Sequence, residues 1–290
     1  MADTLAPGTE ALTLRRGDLE FDALAAGPAD GPLVLFLHGF PEFATCWRRH
    51  LAAAGRAGYR AVAVDQRGYS PGARPLNTAD YTVAELVGDV IAFADELGAE
   101  RFHLVGHDWG GVVAWPTAAQ YAERVASLTV LSTPHPAALA AALASSAEQR
   151  EALSYIRLFQ TPGAAEEALL ENTAAALVGL FEGRVPEDLV ADNVRRLSQA
   201  GALTAALNWY RALESDGAST DAPAISVPTL YLWGTGDLAF TSGAAHGTGE
   251  RVAAPYRFVE LEGFSHWLPE EAPEQTINPL LDHLAAAERG

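Results

Sequence analysis

Leu104-Val105-Gly106-His107-Asp108-Trp109-Gly110-Gly111-Val112-Val113 is the stretch from which the rest of the chain can be read. An apolar run enters a glycine, the chain turns, and an apolar helical pattern follows at once. Gly106, Gly110 and Gly111 flank Asp108 at the offsets of a nucleophile elbow. That is a strained strand-to-helix turn in which small residues let two backbones approach closely. Serine usually occupies the apex; here it is aspartate. A carboxylate needs no base to deprotonate it, and it can attack an electrophilic carbon directly to leave an alkyl ester. The helix N-terminus behind it favours the ionised form. The plainer reading, that Asp108 merely N-caps the helix, is weakened by the flanking glycines.

Outward from the elbow, similar apolar runs recur. Leu33 to Leu37 lies between Gly31-Pro32 and His38-Gly39. Arg60 to Val64, Arg101 to Val105, Ala126 to Leu131 and Thr229 to Trp233 read the same way. Runs of this length bounded by turn residues suit strands buried on both faces of a parallel sheet. Two shorter strands are expected within 11–26, split by Gly17-Asp18. Helical patterns such as Val83 to Leu97 separate most of the runs, which predicts right-handed βαβ crossovers. After Pro134-His135-Pro136 the rhythm breaks into Ala/Leu/Glu-rich helical sequence until about Thr220. The expected organisation is an α/β core from 1–134 and 222–290 with a helical cap inserted at 135–221. Such an insertion would sit over the carboxyl edge of the sheet, where open α/β sheets bind ligands.

Composition excludes several functions. Of 290 residues, 49% are hydrophobic and 19% charged, a globular rather than a disordered balance. The net charge of −18 argues against a nucleic-acid surface or a polybasic membrane anchor, and fits an uncharged substrate. Residues 1–4 lack a basic leader and no apolar run approaches about 20 residues, so a cytoplasmic protein is expected. The single cysteine, Cys46, excludes an internal disulfide and a Cys-rich zinc cage, and reads as a small buried hydrophobe.

An alkyl ester on Asp108 must be hydrolysed, which calls for a histidine to activate water and an acid to orient it. His266, in Gly263-Phe264-Ser265-His266-Trp267, follows the strand-like Phe258 to Leu261. Asp237 follows the run ending at Trp233. The order Asp108, Asp237, His266 is that of nucleophile, acid and histidine in α/β-hydrolases. The turn His38-Gly39-Phe40-Pro41 can aim a backbone N–H at a developing oxyanion, so the N–H groups of Phe40 and Trp109 are the candidate oxyanion hole. Gly68-Tyr69-Ser70-Pro71-Gly72 also satisfies G-x-S-x-G, but Pro71 and Pro75 oppose the helix that motif requires, so Ser70 is set aside. The other histidines (His38, His50, His103, His107, His135, His246 and His283) are read as turn, core or surface residues; no metal-binding spacing appears.

Together, His38-Gly39-Phe40-Pro41-Glu42, Asp65-Gln66-Arg67-Gly68-Tyr69, the Asp108 elbow, Pro134-His135-Pro136, Asp237 and His266-Trp267 resemble an α/β-hydrolase-fold epoxide hydrolase, a family related to haloalkane dehalogenases. The resemblance implies a mostly parallel central sheet with flanking helices, an inserted helical cap, and two cap tyrosines that grip the epoxide oxygen. The segments Ser154-Tyr155-Ile156-Arg157 and Leu207-Asn208-Trp209-Tyr210-Arg211 look like the places for them, which assigns Tyr155 and Tyr210. It implies a small uncharged epoxide and water as reactants, a vicinal diol as product, no cofactor or metal, and a monomer or homodimer. The loop after Tyr69 departs from the family pattern, and 166–200 does not align with it. Two alternatives stay open: a dehalogenase using the same aspartate, and a non-catalytic binding protein of this fold. Against the first, Phe40 stands where many haloalkane dehalogenases place Asn, and Trp109 where fluoroacetate-type enzymes place Arg. Against the second, no triad member is missing.

Overall fold

Every segment read as a strand is one in the computed structural model, which describes residues 8–216 and 223–289. Residues 1–4 and the expected boundary at 221–222 lie outside the described residues. Eight strands form one sheet: β1 (Thr9–Arg16), β2 (Leu19–Ala26), β3 (Leu33–Leu37), β4 (Arg60–Val64), β5 (Phe102–His107), β6 (Val125–Leu131), β7 (Thr229–Gly234) and β8 (Tyr256–Leu261). Their order is β1-β2-β4-β3-β5-β6-β7-β8. The β1–β2 and β2–β4 pairs are antiparallel, and all pairs from β4 to β8 are parallel.

Burial explains the apolar runs. Every residue of β3, β5 and β7 is buried, because these strands are covered on both faces. β1 and β8 sit at the sheet edges and are only partly buried. Three helices, α1 (Arg48–Arg56), α2 (Val83–Glu96) and α3 (Trp109–Gln120), connect strands in the first half. Among the described residues six more lie between β6 and β7: α4 (Pro136–Ser145), α5 (Ala147–Ala152), α6 (Ile156–Phe159), α7 (Ala164–Gly179, with non-helical dihedrals at Glu171–Ala174), α8 (Glu187–Leu197) and α9 (Ala202–Asp216). The second half adds α10 (Ser242–Gly247), α11 (Leu268–Glu271) and α12 (Pro273–Ala287).

This topology selects one place for chemistry. After β3 the chain moves to β4 on one side, then returns to β5 on the other, so β3 and β5 are neighbours that feed connections in opposite directions. A crevice opens at such a switch point, at the strands' carboxyl ends. Phe40 follows β3 there and Asp108 follows β5. The helical insertion is fastened over it by polar contacts to the core. Arg196 of α8 pairs with Asp65 and lies 3.6 Å over the Phe43 ring. Trp209 Nε1 donates to the Arg67 carbonyl at 2.8 Å. Among the described residues no helix is long and apolar enough to cross a membrane.

Candidate active site

Asp108 is held in a backbone conformation that side chains seldom adopt, with φ 50° and ψ −118°. Such residues cost about 1–3 kcal/mol and persist only where the surroundings impose them. Here the imposition is close packing. A Cβ on Gly110 would lie 2.1 Å from the Leu37 carbonyl oxygen, and one on Gly39 would lie 2.3 Å from the Asp108 Cβ. Thus β3, the Gly39 turn and the start of α3 approach as only glycine allows. The Asp108 side chain makes no capping bond to α3. Its Oδ1 instead accepts the Phe40 N–H at 2.8 Å. Trp109 is the first residue of α3, so its N–H is one of the donors that a helix leaves without an internal partner.

The other carboxylate oxygen faces the histidine. His266 Nε2 lies 3.4 Å from Asp108 Oδ2, and His266 Nδ1 lies 3.0 Å from Asp237 Oδ2. The Asp237 side chain is fully buried, and its Oδ1 accepts the N–H groups of Ala239 and Phe240 at 2.8 and 3.1 Å. Burial pulls the His266 pKa down. The Asp237 charge and the hydrogen bonds and charge of Asp108 more than reverse this and hold it well above the ordinary value. The two acidic neighbours therefore favour the protonated ring.

A cavity of about 260 Å³ opens above Asp108, at the small end of ligand pockets, which start at roughly 300 Å³. Tyr155 and Tyr210 of the insertion form part of its wall, with ring centroids 6.5 Å apart. Aromatic packing holds them: Phe159 lies 5.1 Å from Tyr155 and 5.0 Å from Tyr210, and Trp109 lies 4.9 Å from Tyr210. Burial and nearby negative charge push both phenols well above the usual tyrosine range, so both stay protonated. All seven residues singled out from the sequence thus meet at one crevice.

Ser70 does not. Its Oγ is buried away from the cavity, donating to the Asp65 carbonyl at 2.5 Å and accepting the Asp22 N–H at 2.9 Å. Only a three-residue 3-10 turn follows it. Cys46 is buried, and burial raises its thiol pKa far above the ordinary value, as an inert packing residue requires.

A buried polar chain behind His266 was not singled out from the sequence. His107, read there as a turn or core histidine, is fully buried with Nδ1 2.9 Å from Glu42 Oε2 and Nε2 2.8 Å from the His266 carbonyl. Ser132 Oγ donates to the same carbonyl at 2.7 Å. Burial would raise the Glu42 pKa, but His107 and a hydrogen bond with Glu270 lower it. Glu270 is pushed well up by burial and by the Glu42 charge, so it is the protonated partner. Ser265 is bound through its N–H and hydroxyl to Glu271 Oε2. The sequence signal was faint: a glutamate three residues past the Gly39 turn and a histidine directly before the elbow. Within the described residues, one group could offer metal ligands, Glu42, Cys46 and Glu270. Its thiol, held neutral by burial, is a poor metal donor, and none of the three residues lines the cavity.

Residues 32–273 match the family model for the alpha/beta hydrolase fold. The chain is 33% identical over 300 residues to epoxide hydrolase A of Mycobacterium tuberculosis, covering 91% of this chain and 93% of that one. It is 34% identical over 267 residues to the AB hydrolase superfamily protein YfhM of Bacillus subtilis, covering 90% and 92%. Among solved structures, a mutant epoxide hydrolase from Bacillus megaterium complexed with its product, a naphthyloxypropanediol, superposes with a TM-score of 0.86 at 26% identity, covering 94% and 100%. An epoxide hydrolase from hot-environment metagenomes gives 0.83 at 30% identity, covering 95% and 98%.

Proposed function

The chain belongs to the alpha/beta hydrolase fold family as a relative of epoxide hydrolases, and from that premise we propose that it opens an epoxide to a vicinal diol through an ester on Asp108. The observation that carries the reading is the division of labour between the two oxygens of one carboxylate. Oδ1 already rests on the Phe40 N–H, and Oδ2 faces His266 across from two protonated tyrosines. Within the segment 135–221, the described residues 135–216 act as the cap that closes the cavity.

In the first step Asp108 Oδ2 attacks an epoxide carbon, and the carbon–oxygen bond breaks. The leaving oxygen takes a proton from Tyr155 or Tyr210, which supplies the acid an alkoxide needs. In the second step His266, oriented by Asp237, removes a proton from a water that attacks Asp108 Cγ. The oxyanion forms on Oδ1, where Phe40 and Trp109 N–H groups meet it; one such donor is worth about 2.7–4 kcal/mol. Collapse breaks the bond from Cγ to the product oxygen, which takes the proton that remained on the attacking water's oxygen and leaves as the diol, and the proton on His266 restores the phenol by way of the product or solvent. The first step also prepares the second. Esterification removes the Asp108 charge, one of the causes that raise the His266 pKa, so the first step lowers that pKa before a base is required.

The dehalogenase reading is less well supported. Its halide needs donors that reach the cavity, whereas Trp109 does not line it and its ring packs edge-on against Tyr210 at 4.9 Å. The reaction is tested by a single turnover with excess enzyme and styrene oxide in ¹⁸O-labelled water. The expected result is an unlabelled first diol with the label left in Asp108. A labelled first diol would mean direct attack by water and a different role for Asp108. No diol, with halide released from a haloalkane instead, would favour the dehalogenase.

A further inference from the structure

Glu182 also stands on the cavity wall, and the reaction above has no task for it. Phe181, Glu182 and Gly183 form the turn between α7 and α8. Glu182 has φ 51° and Gly183 φ 69°, a left-handed pair in which a non-glycine residue is uncommon. Two contacts fix this turn against the histidine loop. The buried Phe181 ring lies 5.0 Å from Trp267, the residue after His266. Arg184 Nη1 pairs with Glu271 Oε1 at 3.0 Å, and Glu271 also binds Ser265. Arg184 is thereby directed to Glu271, and Glu182, itself exposed to solvent, is the acidic residue of this turn that lines the cavity. Its surroundings raise its pKa, burial first, against the opposing His266 and Arg184 charges, which places it within electrical reach of the site. The rest of the wall is apolar or aromatic apart from the groups already assigned.

We propose that Glu182 is a specificity-determining residue that excludes ligands carrying a carboxylate near the reacting end and restricts the cavity to epoxides that are uncharged or cationic there. This rests on the epoxide reading for the word epoxide alone; the charge filter belongs to the cavity. The triad already sets two acidic groups beside one histidine, and Glu182 adds another at the wall. A ligand anion meets both across partly hydrated space, where a unit charge changes affinity about fivefold.

The test measures binding of a matched pair, 4-phenylbutanoate and 4-phenylbutanamide, by titration calorimetry. The proteins are the wild type, Glu182→Gln, Glu182→Lys, and Glu187→Gln as an exposed control with the same change in net charge. The expected result is a ratio of anion Kd to amide Kd that falls about fivefold in Glu182→Gln, falls further in Glu182→Lys, and is unaltered in Glu187→Gln. Raising the salt to about 1 M should shrink the wild-type ratio. A ratio that changes less than twofold in both Glu182 variants, or equally in the control, overturns the proposal. Turnover of styrene oxide by the wild type is measured separately. Its absence would count against the epoxide reading, while the binding ratio would still decide the role of Glu182.

Discussion

The sheet edge and the helical insertion both contribute to one cavity, but they hold their side chains by different means. At the sheet edge, backbone groups set the positions. Asp108 is aimed by a strained turn and a backbone N–H, Asp237 by two backbone N–H groups, and His266 through its own carbonyl. In the insertion, Tyr155 and Tyr210 are held by the rings of Phe159 and Trp109. Backbone hydrogen bonds allow few alternatives, whereas aromatic packing tolerates adjustment. In the proposed reaction the attack geometry is therefore rigid, and the tyrosines' grip on the leaving oxygen can adapt to the ligand.

If that contrast is sound, damage at the sheet edge costs orders of magnitude and damage in the insertion is graded. The largest effect is expected from Asp108→Ala, with a rate loss of at least about 10⁴-fold on the epoxide that the wild type turns over. The same change removes a charge that raises the His266 pKa, so an NMR titration should show His266 losing its proton at lower pH than in the wild type. Substantial residual turnover would break the comparison at its strongest point.

Next, His266→Gln should lose about 10²–10⁴-fold in steady state. Because ester formation does not need the base, intact-protein mass spectrometry should find the alkyl adduct persisting. No adduct despite bound epoxide would argue against the two-step scheme.

Tyr155→Phe and Tyr210→Phe should each cost about 10-fold or more. Their combination should cost at least about 10²-fold, since either phenol can then no longer stand in for the other. A double variant with the wild-type rate would remove the tyrosines from the reaction.

The smallest effect is expected at the rim. Leu238 is 66% exposed and lines the cavity mouth, so Leu238→Ala should raise KM about two- to fivefold with kcat unaltered. A loss confined to kcat would mean that the rim takes part in the chemistry after all.

Much of the sheet was legible because a strand covered on both faces leaves an apolar run between turn residues, as at Leu33–Leu37 and Thr229–Gly234. The elbow was legible for a related reason: close approach of backbones demands glycine, and glycines at fixed offsets around Asp108 are visible in one dimension. Tyr155 and Tyr210 were a harder case. Their segments could be placed only by resemblance, since an aromatic residue in a helical stretch normally packs.

The chain by itself therefore determined the order of strands and helices, the aspartate at the elbow's apex and the order in which Asp237 and His266 follow it. Those follow from local chemistry: periodicity, turn residues and the type of side chain at an apex. Tertiary structure alone decided which carboxylate oxygen meets the Phe40 N–H, that His107, backed by Glu42, braces His266 from 159 residues away, and that Glu182 lines the cavity. Each depends on distances between segments far apart in sequence, which packing sets and no local pattern records.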